Sequence, residues 1–93
     1  MTISEFTKRK VYLVMELHKL VERVDSKETF LEFVTALRTD LAAHNSESSW
    51  ENPDLKRFLE AMHRWSEDMG ERVPASPSWR TFADMLYAAR IYE

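Results

Sequence analysis

A single glycine, Gly70, stands among the 93 residues, and that scarcity constrains the fold more than any motif does. Tight hairpins draw on residues that tolerate positive φ, chiefly glycine, and no segment of this chain alternates apolar and polar residues convincingly. Apolar residues recur instead at spacings of three and four. The pattern predicts an all-α fold: a single small bundle of about four helices, with the whole chain, residues 1–93, as one domain. An apolar fraction of 44%, including three Trp, five Phe and three Tyr, supplies a core without help from a metal or a disulfide. Cysteine is absent, which removes disulfide frameworks, thiolate catalysis and Cys-based zinc sites, and agrees with a reducing, cytoplasmic location.

The helices can be placed from their stripes and their caps. From Ile3 to Val24, the residues Phe6, Leu13, Val14, Leu17, Leu20, Val21 and Val24 share one side, which predicts an amphipathic N-terminal helix over residues 1–24. "DSKE" then offers a helix start. Asp25 with Glu28 has the form of a capping box, and Ser26 is the alternative cap. The second helix is expected to bury Phe30, Val34, Leu37 and Leu41 and to turn Glu32, Thr35 and Thr39 outward. After the polar "HNSESS", Asn52 is the expected cap and Pro53 the first residue of a third helix that buries Leu55, Phe58, Leu59, Met62 and Met69, and that Gly70 ends. Ser76 and Pro77 repeat the same signal for a fourth helix with the core stripe Trp79, Phe82, Ala83 and Leu86.

Few residues suggest chemistry. Glu60-x-x-His63 is half of a di-iron motif, but the chain has one copy, and about 100° per residue turns Glu60 away from the apolar stripe. His18, His44 and His63 lie in three segments without zinc-ligand spacing. Glu51 and Asp54 could do acid–base work, yet acids are expected at a helix N-terminus because they complement its dipole. No Gly-rich phosphate loop or nucleophile elbow can be built from one glycine. The expectation is a chain that is no enzyme, holds no metal and needs no cofactor.

Partners can be narrowed in the same way. A net charge of −3 gives no pull towards phosphate backbones, and a helix-turn-helix reader would find Arg80, Thr81, Asp84 and Ala88 on the exposed sector of the fourth helix, a poor set for bases and phosphates. Nucleic acid is not expected. Nor is membrane insertion, since no segment approaches the roughly 20 apolar residues that span a bilayer. The fourth helix is apolar almost all round, with Met85 and Tyr92 on one flank and Tyr87 and Ile91 on the other. Such a helix is central to its bundle or covered by another chain. Arg90 falls near its end on the core side, placed to cap carbonyls, pair with an acid such as Glu51, or meet a partner.

"WENPDLKRFLEAMHRW" and the terminal "PSWRTFADMLYAARIYE" resemble a family of small bacterial domains of unknown function, with a Trp-Glu-Asn-Pro helix start and a Pro-x-Trp helix that finishes in Ala-Ala-Arg-x-Tyr-Glu. The resemblance covers residues 26–93 and leaves the first helix as an addition. It carries over no catalytic residues. By fold-level analogy such acidic helical proteins are similar to immunity proteins of bacterial toxin systems.

The functional expectation is a non-catalytic protein-binding module. In its leading form an acidic face of Glu47, Glu51, Asp54, Glu60, Glu67, Asp68 and Glu71, helped by Met85, Arg90 and Tyr92, covers a basic toxin domain. In the alternative form the chain is a homodimeric structural or regulatory domain that buries the flanks of its fourth helix against a second copy.

Overall fold

The computed structural model describes residues 16–43 and 50–93. They form a small all-α bundle of four helices: α1 (Leu17–Glu22), α2 (Lys27–Ala42), α3 (Leu55–Met69), followed by a short 3-10 turn (Gly70–Arg72), and α4 (Trp79–Ala89). The part of the predicted first helix before Glu16 lies outside the described residues, as does the "HNSESS" segment.

Each helix start is set by a side chain that satisfies orphan N–H groups. At α2 the choice falls on Ser26, whose Oγ accepts from the Thr29 N–H at 3.2 Å while the Thr29 hydroxyl accepts from the Ser26 N–H at 3.0 Å. The box therefore pairs Ser26 with Thr29, not Asp25 with Glu28. Asp25 instead accepts from the Thr29 hydroxyl, bracing the same turn. At α3 the expected cap is displaced: Asp54, not Asn52, accepts from the Arg57 N–H at 2.9 Å, and the helix begins at Leu55. The fourth helix shows the same displacement. Ser78 and Thr81 form a reciprocal box, and Pro77 precedes the cap. In both cases the residue directly after the proline caps, because its short oxygen-bearing side chain reaches back to the N3 amide from an extended backbone.

Gly70 ends α3 with φ +55° and ψ −122°, a conformation that essentially only glycine reaches without strain. That is the one position where the scarce glycine is required.

The fourth helix is the hub. It packs against α1, α2 and α3, and α1 also packs against α2. Arg80 ties the start of α4 to the end of α1 by donating to the Glu22 carbonyl at 3.2 Å. The core joins Leu20, Val21 and Val24 near α1, Phe33, Ala36 and Leu37 of α2, Trp50, and Ala83 of α4. Phe33 is 0% exposed and is the largest fully buried side chain, with its ring 6.5 Å from that of Tyr87.

The expected stripes of α2 and α4 need correction. On α2 the centre of burial moves from Phe30 and Leu41 to Phe33 and Ala36, because α1 and α4 approach from that side. On α4, Trp79 and Phe82 are each 43% exposed, and Trp79 rests on Phe30 with ring centroids 5.3 Å apart. Ala83 takes the central place, since a small residue lets the helices come close.

Phe33→Ala should cost about 3–5 kcal/mol in urea unfolding, the range for a large aromatic lost from a core. Gly70→Ala should cost about 1–3 kcal/mol through its backbone alone, with no side-chain contact to blame.

Candidate functional site

The Trp50–Asp54 segment binds two helices together. A helix leaves its last carbonyls without intrahelical donors, and these must be met by other groups. At the end of α4 they are met by Asn52: its Nδ2 donates to the carbonyls of Ala89 at 3.0 Å and Tyr92 at 2.8 Å. The backbone N–H groups of Glu51 and Asn52 both donate to the Arg90 carbonyl, at 2.9 and 3.0 Å. Asn52 thus has its side chain turned to the end of α4, and the cap of α3 is left to Asp54. One residue earlier, Trp50 is buried, stacks on Phe58 at 6.1 Å and donates Nε1 to the Asp40 carboxylate of α2 at 2.5 Å. The end of the chain is held as well: Arg64 donates to the Glu93 carbonyl, and the Tyr92 hydroxyl donates to Asp68. The Asp68 carboxylate that accepts this proton, with some help from desolvation, raises the Tyr92 phenol above its ordinary value.

The clasp closes one end of an apolar groove. Both α2 and α3 lean on α4 but hardly meet each other, so the space between them stays open. It is about 300 Å³ in volume and is lined by Val34, Leu37 and Leu41 of α2, Leu55 and Phe58 of α3, and Leu86 of α4, with Trp50 and Pro53 at the clasp. Further along α3, Leu59 and Met62 face Met85 across a second shallow hollow. Leu55 is 72% exposed and Leu59 52%, although both belong to the stripe expected to be inward. Helix α3 meets the bundle mainly through α4 and buries Ala61 there. Its inward direction is rotated towards Ala61 and Trp65, which leaves Leu55 and Leu59 at the margin.

The acidic residues distribute differently from a single patch. Glu47 lies outside the described residues. Glu51 is exposed, with its backbone used in the clasp, and Asp54 caps α3 and pairs with Arg57 at 3.4 Å. Glu60 and Glu67 share one exposed face of α3, where Glu67 pairs with His63; Asp68 accepts from Tyr92, and Glu71 is exposed in the 3-10 turn. Lys56, Arg57 and Arg64 are interleaved with Glu60, Glu67 and Asp68 along α3, so their fields partly cancel. Met85 is half-buried beside Leu59. Arg90 is 7% exposed, with its guanidinium 4.2 Å above the Tyr87 ring, a cation–π contact inside the protein and not at its surface.

For metals, Glu60 and His63 are both exposed on the polar side of α3, and His18 lies 3.5 Å from Glu16. Among the described residues no group of three or more His, Cys, Asp or Glu converges on a common point. No helix of the described residues is long and apolar enough to cross a membrane.

The chain belongs to the DUF7660 family. That family is one of unknown function, and it matches residues 26–93, from the Ser26 cap of α2 to the end of the chain. No curated protein and no solved structure matches. Family membership thus places an uncharacterised domain around the clasp and the groove, and assigns neither a role.

Asn52→Ala should cost about 1–3 kcal/mol, because it strips donors from carbonyls at the end of α4. Asn52→Asp should be at least as harmful at neutral pH despite its equal size, since a carboxylate cannot donate to a carbonyl. Urea melts of the two variants check both statements.

Proposed function

We propose that this chain is a non-catalytic protein-binding module that seats an amphipathic helix of its partner in the groove between α2 and α3. The observation that carries the reading is the exposure of Leu55 and Leu59 beside an almost wholly apolar groove. An amphipathic helix laid on α4 between α2 and α3 would cover this apolar edge, with anchors at helical spacing. The absence of cysteine goes with a cytoplasmic location. Nothing in the arrangement recommends nucleic acid as the partner, since the bases of α3 alternate with acids.

A second reading keeps the immunity-type inhibitor, in which the exposed Glu51, Asp54, Glu60, Glu67 and Glu71 cover a basic toxin domain. Exposure of these carboxylates favours it; their interleaving with Lys56, Arg57 and Arg64 weakens the steering field.

One experiment separates the two. Tagged wild-type protein, Leu59→Glu and a Glu60→Lys/Glu67→Lys variant are used to capture partners from the native cells at 0.1 and 1 M salt, and retained proteins are identified by mass spectrometry. Groove binding predicts retention that survives high salt and is lost in Leu59→Glu. A stoichiometric basic protein that is lost at high salt and in the lysine variant, yet kept by Leu59→Glu, would overturn the groove in favour of the inhibitor.

A further inference from the structure

We infer that the helix covering this apolar edge is α3 of a second copy of this chain, so that two copies pair about a two-fold axis with their α3 helices antiparallel. The inference rests on the groove reading above and names its occupant. Along α3 the residues Leu55, Leu59, Met62 and Ser66 follow at spacings of four, three and four, the seam of a short coiled coil. This seam runs along the outer edge of the helix; it joins the groove at Leu55 and continues past it into the hollow lined by Leu59, Met62 and Ser66. An isologous interface pairs one patch with the same patch of the other copy, and this edge can be set against itself. In the antiparallel register Leu59 meets the partner's Met62 and Leu55 meets the partner's Ser66. Two central Leu–Met layers are then flanked by Leu–Ser layers.

Charge selects the direction. The start of α3 carries Lys56, and its far end carries Glu67 on the same flank of the seam. Parallel pairing about a two-fold axis would leave Lys56 of one copy and Glu67 of the other on opposite sides of the interface; antiparallel pairing brings like flanks together, sets Lys56 near the acidic end of the other copy and also opposes the two helix dipoles. The exposed edge is continuous from Leu55 through Leu59 to the hollow beside Met62 and Met85.

The test is sedimentation equilibrium of the full chain from about 1 to 500 µM, in 0.15 and 1 M salt, a range that covers micromolar self-association. Wild type should show a monomer–dimer equilibrium that survives high salt. Leu59→Glu should raise the dissociation constant at least about 30-fold, the effect of losing a central anchor. It should leave helix content and the melting point of the dilute monomer nearly unchanged, because Leu59 is exposed in the single copy. Lys56→Glu and Glu67→Lys should each weaken pairing a few-fold at 0.15 M salt, and the two together in one chain should restore it, as two-fold symmetry swaps both charges on both copies. A monomer at every concentration overturns the inference, as does a dimer indifferent to Leu59→Glu or a double reversal that fails to restore pairing. Cross-links that seat residues 1–15 in the groove of their own monomer overturn it as well. If wild type stays monomeric while Leu59→Glu still abolishes capture of a different protein, the groove reading stands and only its occupant changes. If Leu59→Glu alters neither self-association nor capture, both readings fall.

Discussion

The end of α4 is the constraint on which the rest depends. Among the described residues helix α4 packs against all three other helices, yet it is eleven residues long and cannot satisfy its own final carbonyls. Asn52 and the backbone of Glu51 do so from thirty-seven or more positions away in sequence. The distance matters because a local C-cap would have ended the helix without fixing anything else. Here the same hydrogen bonds that finish α4 also anchor the segment leading into α3, and Trp50 fastens that segment to Asp40 of α2. Three helices are thus registered against one another within three consecutive residues, Trp50 to Asn52.

The groove follows from this arrangement. Once α2 and α3 are both fastened to α4 at its C-terminal end, each buries its closest residues there, Leu37 on one side and Ala61 on the other. Neither has enough apolar width left to reach across to its neighbour. What remains between them is apolar because each helix carries an apolar arc broader than its single contact can cover. On α3 the arc runs from Ala61 to Leu59, and the packed part is the Ala61 side. A helix with one bundle partner and an arc this wide leaves its far margin in water, which is unfavourable in an isolated monomer and is relieved by a covering helix.

Much of the secondary structure was legible in the residues. The lack of glycine and the three-and-four spacing point to helices, and the prolines at positions 53 and 77 mark two helix starts to within two residues. Gly70 marks the end of α3, where positive φ is needed. These signals are local: a cap, a forbidden dihedral or a periodicity acts within one or two turns of chain. The centrality of α4 could also be read, because a helix apolar on nearly every side needs neighbours on several sides.

The errors share one origin. Asn52 looks like a cap for the helix that follows it, and its amide was needed elsewhere. Arg90 falls on the core side in sequence with a carbonyl, an acid or a partner as its possible contact, and the structure sets it over Tyr87 inside the fold. Leu55 and Leu59 look like core, yet Leu55 lines an open groove and Leu59 the hollow beside it, while Phe33, off the expected stripe, is the largest fully buried side chain among the described residues. Sequence alone determined that the chain forms helices, where most of them start and stop, and which residues are apolar. Tertiary structure alone decided which apolar edge each helix buries and which polar group serves which backbone, because both depend on the direction from which another helix arrives. Periodicity describes a helix about its own axis and carries no information about that direction.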